Sequence, residues 1–299
     1  MFHEFRPLMF RQYQQARNHF INHPEQLIEI ERTITSVVND CLLRHYDEFA
    51  RDYNEASYLN PFWANYPPDN RGRAPVGDQV PWIEVGEHAV GHKLSRLLSV
   101  SYDIAEVGLP SGADNRFVLR SDEIRKITKG FTDCAFIFLD IKSVGPRDNF
   151  AHVVISPYQV SGDGLWTEQD GNLVNSTMTA AGPRVSHVFH PAISPIYTLS
   201  NGSVAPTIHL FVKPVYSMLT GTHCGQPLET IKSICVPNGL LLTQNPAYLR
   251  QYPGLFFPGK DDKGKDPRKI RVRVSFSLLG QIADWRIQEI PAGQLSACR

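Results

Sequence analysis

Several large protein classes are excluded by what this chain lacks. No run of about 18 apolar residues occurs, so no segment reads as a membrane-spanning helix. The opening residues, Met1-Phe-His-Glu-Phe-Arg6, lack the basic-then-apolar layout of a secretory leader, which predicts a cytoplasmic protein with no membrane partner. Cysteine is scarce and scattered. Cys41, Cys134, Cys224, Cys235 and Cys298 are odd in number and form no C-x-x-C pair, which argues for reduced thiols rather than a disulfide framework or a zinc site. There is no internal repeat, no low-complexity tract and no clear linker. Net charge is also missing: 30 Lys and Arg balance 30 Asp and Glu, which excludes a general polycation.

The balance hides an uneven distribution. Residues 1–200 carry 18 basic against 24 acidic residues, whereas residues 201–299 carry 12 against 6. Seven of those basic residues lie between Lys260 and Arg273, beside three acidic ones. A focused basic segment in a neutral chain suits a protein that grips phosphate locally.

The most informative segment is Cys134-Ala-Phe-Ile-Phe-Leu139, followed by Asp140-Ile-Lys142. Six consecutive apolar residues rich in aromatic and β-branched types read as a buried strand. Strand side chains alternate, so Asp140 and Lys142 leave on one face and Ile141 on the other. A carboxylate and an ammonium then stand together where a core strand meets solvent. That pairing suits metal-assisted phosphodiester cleavage, with Asp140 on a divalent cation and Lys142 beside the attacking water and the charge gathering on phosphorus. The tripeptide alone is common and carries little weight.

Around it, helical spacing begins near Asn22-His-Pro-Glu25 and runs through Leu27, Ile30, Ile34, Val38, Leu42, Tyr46, Phe49 and Tyr53, about seven turns. Val85 to Leu98 reads as a second helix. Strands are predicted at Phe131–Asp140, Val153–Ile155, Val185–Phe189, Ile196–Leu199, Thr207–Val212, Ile231–Val236 and Ile270–Leu278. Ser200-Asn-Gly-Ser203 is a hairpin turn signal. Helices first and strands afterwards predict an α/β fold: a mixed central β-sheet flanked by helices, with additional β-structure in the C-terminal third.

One carboxylate holds Mg²⁺ poorly, because the ion prefers about six oxygens. Candidates for a second are Asp114, Asp133, Glu84 and Glu87, and the Ile141 carbonyl offers another oxygen. Asp133 precedes Asp140 by seven residues, an odd separation that turns it to the opposite face of a regular strand. Asp114 lies 26 residues upstream, enough chain to fold back beside Asp140. Taken alone, its neighbourhood, Gly112-Ala-Asp-Asn-Arg116, reads better as a plain turn than as a ligand. Glu84 and Glu87 fit the start of a helix as dipole partners. In the basic segment, Arg271 and Arg273 share one strand face while Val272 and Val274 take the other. Paired arginines can fork onto guanine, and an Asp can accept from cytosine, so Asp262 and Asp148 also qualify as base readers. A solvated charged face explains the same pattern.

Taken together these segments resemble the BglI-like type II restriction endonucleases, within the nuclease pattern written PD…(D/E)xK. The matching stretches, in order, are Asn65-Tyr-Pro-Pro68, Pro81-Trp-Ile-Glu-Val-Gly-Glu87, Gly108-Leu-Pro110, Asp140-Ile-Lys-Ser-Val-Gly-Pro-Arg-Asp148, Val236-Pro-Asn-Gly239, Gly259-Lys-Asp-Asp262 and Arg271-Val-Arg-Val274. Ala113 stands where that pattern usually has Pro. The resemblance implies a restriction-endonuclease-like core, taken as one domain over 1–299, with the catalytic part at about 80–160 and recognition elements near 145–150 and 255–280. It implies a prokaryotic homodimer that uses Mg²⁺ to cut double-stranded DNA at the interrupted palindrome GCCNNNNNGGC, leaving 3′ overhangs, alongside a cognate methyltransferase. Asp114, Asp140 and the Ile141 carbonyl would hold metal, with Lys142 the third catalytic residue. Asp148, Lys260, Asp262, Arg271 and Arg273 would contact DNA. A structure-selective or repair nuclease of the same fold, and a non-catalytic DNA-binding protein, are the alternatives.

Overall fold

The structure, a computed structural model, describes residues 2–57, 83–108, 112–145, 150–166, 173–217, 226–259 and 266–291. Three helices open the chain: α1 (Phe2–Asn22), α2 (Pro24–Arg44) and α3 (Tyr46–Ser57). The single long helix expected from periodicity is therefore two. The buried stripe Leu27, Ile30, Ile34, Val38, Leu42, Tyr46, Phe49, Tyr53 runs unbroken across His45, where no Gly or Pro marks the junction. Spacing cannot register such a break. Helix α1 was not anticipated; it buries Tyr13, Ala16 and Phe20 and has Pro7 within it.

The second predicted helix is observed as α4 (Ile83–Gly86), a π-helical turn at Glu87–His92, and α5 (Lys93–Ser101). The π turn lies directly on the end of the core strand. A Cβ at Gly91 would stand 2.8 Å from Ile141 Cγ1 and one at Gly86 2.1 Å from Ser143 Oγ, so both positions need glycine's missing side chain for this close approach.

Among the described residues twelve strands follow: β1 (Asp103–Glu106), β2 (Asn115–Arg120), β3 (Cys134–Ile141), β4 (His152–Ile155), β5 (Met178–Ala181), β6 (Ser186–Phe189), β7 (Ile196–Thr198), β8 (Val204–Tyr216), β9 (Leu228–Val236), β10 (Phe256–Pro258), β11 (Val272–Ser275) and β12 (Ile287–Pro291). The central sheet runs β1-β2-β3-β8-β9-β12, with β7 also paired to β8. Strands β3 and β8 are parallel and the other pairings antiparallel, so the sheet is mixed. Helix α2 covers β8, β9 and β12, while the π turn packs on β3. The fold class expected from sequence is the one observed. The hairpin at Ser200–Ser203 joins β7 to β8, with Gly202 at φ +82°. Two smaller sheets, β10-β11-β4 and β5-β6, complete the fold.

Every residue of β3 is buried, as its composition predicts. The strand expected at Ile270–Leu278 is shorter than anticipated. It stops at Ser275, whose Oγ accepts from Leu278 N at 3.5 Å and caps a helix at Phe276–Ile282. Strands β1, β2, β5, β10 and β12 were not anticipated.

A buried polar knot ties α2 and the turn before β12 to the residues after β9. Arg286 Nη2 donates to Glu31 Oε2 at 2.7 Å, and both side chains are 0% exposed. Glu31 Oε1 accepts from the Asn238 N–H at 2.6 Å, and Asn238 Nδ2 donates to the Pro195 and Thr207 carbonyls. Removing one partner leaves an uncompensated buried charge. Arg286→Met is expected to cost about 3–5 kcal/mol in urea unfolding, and adding Glu31→Leu to recover part of that loss. Equal stability of Arg286→Met and the parent would contradict this account.

Candidate active site

The site grows from the end of β3. Alternation sets Asp140 on the face that carries Phe136 and Phe138, above a small apolar cluster with Val118, Ala205, Ile193 and Ala113. Asp140 is 1% exposed. Its Oδ1 accepts from Gln159 Nε2 at 2.7 Å. Its Oδ2 is buried without an aligned hydrogen-bond donor and meets the Lys142 ammonium at 2.6 Å.

Strand β2 delivers the second carboxylate. It runs antiparallel to β3 with Asn115 opposite Leu139, so Asp114 falls one position further on, abreast of Asp140. Asp114 Oδ2 accepts from the Ile141 N–H at 2.6 Å, taking over the ladder where β2 has ended. The N–H and C=O of an extended residue leave the same strand edge, so the Ile141 carbonyl faces this side as well. The turn reading of Asp114 gives way to a paired acid.

Electrostatics follow from that placement. Burial pushes the Asp140 carboxyl up to about 7, the Asp114 charge adds to the rise, and Lys142 and Gln159 oppose it. Burial also raises Asp114, against the Ile141 N–H, Lys142, Arg116 and His92. Lys142 keeps 31% of its side chain exposed, so its ammonium reaches both Asp140 and solvent.

Asp133 stands away from this group. It precedes the opposite end of β3 and pairs with Arg120 and Arg125, each at 3.1 Å. Glu87 sits half-buried on the π turn, and the Glu84 side chain lies outside the described residues. Two nearby residues escaped sequence reading. His92, from the π turn, stabilises the charged form of Asp114. Gln159 ends a 3-10 turn, Pro157–Gln159, closed by a capping box with Ser156. The spelling Ser156-Pro-Tyr-Gln159 was a readable capping signal. Its contact with Asp140 was not.

The base-reading candidates sit on the second sheet. Arg273 lies in β11 opposite Val154 of β4 and Phe257 of β10, and Arg271 just precedes the strand, exposed. Val272 and Val274 are buried beneath, as alternation predicts. Asp148, Lys260 and Asp262 lie outside the described residues. Among the described residues no group of three or more His, Cys, Asp or Glu is arranged to hold a metal ion. Asp114, Asp140 and a backbone oxygen form a smaller donor set. It fits Mg²⁺, which is bound through one or two carboxylates while keeping several waters, and the buried Asp140 Oδ2, which meets only an ammonium, supports that fit.

Comparisons with known proteins place this chain among type II restriction enzymes. The family model described as type II restriction enzyme SfiI matches residues 26–290. The type II restriction enzyme BglI of Bacillus subtilis is 47% identical over 288 residues, covering 94% of this chain and 96% of its own. The crystal structure of BglI bound to its DNA recognition sequence matches with a TM-score of 0.89 at 46% identity, over 97% of this chain and 99% of that one. The tetrameric endonuclease SfiI bound to cognate DNA matches at 0.60 with 15% identity, over 91% and 86%, a likeness of fold alone. The chain is thus a type II site-specific deoxyribonuclease, and the repair-nuclease and non-catalytic readings fall. It belongs to the SfiI family of type II restriction enzymes. No helix among the described residues is long and apolar enough to cross a membrane.

The raised Asp140 carboxyl has a measurable consequence. Its folded-state value is about 7, against about 3.9 in an unfolded chain, so without metal the native state holds the extra proton between those limits. The contribution of Asp140 to stability in EDTA therefore falls as pH rises from about 4 to about 7. Asp140→Asn removes that loss. It is expected to exceed the parent by on the order of a few kcal/mol at pH 8 and to match it near pH 4. Thermal melting across this range checks the sign, and a variant no more stable than the parent at pH 8 would contradict it.

Proposed function

We propose that the enzyme is an Mg²⁺-dependent homodimer that cuts double-stranded DNA at GCCNNNNNGGC and leaves 3′ overhangs. Asp114, Asp140 and the Ile141 carbonyl hold the cation. When bound, it supplies positive charge against the phosphorane-like transition state. Lys142 orients the attacking water and adds its own charge beside the scissile phosphate. The observation that carries this reading is the convergence of two carboxylates and one ammonium at the solvent end of β3.

Recognition falls to the β10-β11-β4 sheet and to segments near 145–150 and 255–280, with Arg271 and Arg273 forked onto guanines and Asp148, Lys260 and Asp262 completing the contacts. The exposure of Arg271 and the outward face of Arg273 support this assignment. A palindromic site matches a two-fold dimer. Such an activity in a prokaryotic cytoplasm requires a methyltransferase that protects the same site. A single endonuclease domain over 1–299, with its catalytic part at about 80–160, is supported by a main core whose buried residues run from Tyr13 to Ile290.

Asp114→Ala and Asp140→Ala are expected to abolish cleavage while retaining DNA binding, and Asp133→Ala to cut like the parent. Lys142→Arg keeps charge but replaces a compact ammonium with a planar fork, and should lose several orders of magnitude in rate with little change in binding. Plasmid cleavage alongside gel-shift titration checks these. Near-normal cutting by Asp114→Ala would move the second carboxylate to Glu87, and Lys142→Arg within about tenfold of the parent would mean that charge alone suffices.

Arg271→Ala and Arg273→Ala should each cost about 1–3 kcal/mol of discrimination at one base pair per half-site. The measurement is binding to cognate and singly substituted duplexes at fixed salt. An equal loss of affinity for every duplex would mean that these arginines grip backbone instead.

A further inference from the structure

Gln159 uses its whole amide in one place. Nε2 donates at 2.7 Å to Asp140 Oδ1 and at 2.7 Å to the Gly112 carbonyl. Oε1 accepts from the Ser156 N–H at 2.9 Å. The side chain is 6% exposed, and its backbone is also tied, since Gln159 N donates to Ser156 O at 3.0 Å. On the Asp114 side, the Gly112 N–H donates to the Tyr158 carbonyl at 3.0 Å. Both donors and the acceptor of this amide are occupied: one donor on Asp140 itself, the other on the Gly112 carbonyl two residues before Asp114, and the acceptor on its own turn.

We propose that Gln159 is a positioning residue that aims the Asp140 carboxylate at the cation and clamps the loop bearing Asp114 in register with it. The inference rests on the metal-site reading above. A neutral amide suits the task. It holds Oδ1 without adding positive charge that would repel a cation, and leaves Oδ2 to face Lys142 and the open end of the strand. A Lys or Arg at 159 would satisfy the same oxygen but compete with the metal for it. The clamp starts from β4, which is paired to β11 and so to Arg273. Cation capture and the recognition sheet therefore share one short turn, Ser156–Gln159.

The test uses Gln159→Met, which keeps the shape and removes both donors, and Gln159→Asn, which keeps the amide but withdraws it by one methylene. Mn²⁺ is the probe, with free ion followed by electron paramagnetic resonance during titration of the protein, beside the Mg²⁺ concentration for half-maximal plasmid cleavage. Partners that orient a metal-binding side chain are worth roughly 10–100-fold in metal affinity. Both variants should weaken Mn²⁺ binding and raise the Mg²⁺ requirement by that factor, while duplex affinity in EDTA stays within about twofold of the parent. If one variant fails to melt cooperatively, the other carries the test. Asp140→Ala is the reference. Parent-like Mn²⁺ binding by Asp140→Ala would overturn the metal site itself and the inference with it. Loss of Mn²⁺ by Asp140→Ala, with parent-like binding by the Gln159 variants, would overturn the role of Gln159 alone.

Discussion

An acid at the end of a fully buried strand is the constraint around which this molecule is arranged. Burying a carboxylate is expensive unless partners meet each oxygen. Asp140 therefore needs Gln159 on one oxygen and Lys142 on the other, and its neighbour Asp114 needs the Ile141 N–H. Two of these partners lie at the end of β3, Ile141 its last residue and Lys142 just past it, and the third comes from the turn after β4. The Asp114 charge still raises the protonation of Asp140. The outcome is a concentrated negative site with a cation-sized demand, opening beside an ammonium that solvent can reach.

The frame that holds this site also holds the arginine strand. Strand β4 pairs with β11 and continues into the turn that ends at Gln159. Strand β8, beside β3 in the central sheet, sends the buried Lys213 across to donate to the His152 carbonyl of β4 at 2.7 Å. Two joints thus connect the sheet carrying Arg273 with the sheet carrying Asp140.

What could be read from sequence divides along physical lines. Strand β3 was legible because six apolar residues in a row leave few alternatives, and its final Asp and Lys follow from simple alternation. The helix–strand order and the Ser200–Ser203 hairpin were legible for similarly local reasons. Asp114 was readable only as a possibility. The strand that delivers it, Asn-Arg-Phe-Val-Leu-Arg over 115–120, is short and polar at both ends. Gln159 was legible as a capping residue but not as a partner of the site, since its contacts with Asp140 and Gly112 span 19 and 47 residues of chain and leave no periodic trace. The overlong strand at Ile270–Leu278 failed where the apolar pattern persists past a serine that caps a helix. Local pattern reveals what is buried, and much less of what the buried groups meet.

The central claim is that the paired carboxylates and Lys142 cut DNA at one defined sequence. Digestion of a sequenced plasmid by the purified protein, with and without Mg²⁺, followed by mapping of the cut ends, tests it most directly. The account predicts no cleavage in EDTA and, with Mg²⁺, discrete fragments whose ends fall within GCCNNNNNGGC and carry 3′ overhangs. Cleavage that persists without a divalent cation, or ends scattered over unrelated sequences, would contradict it.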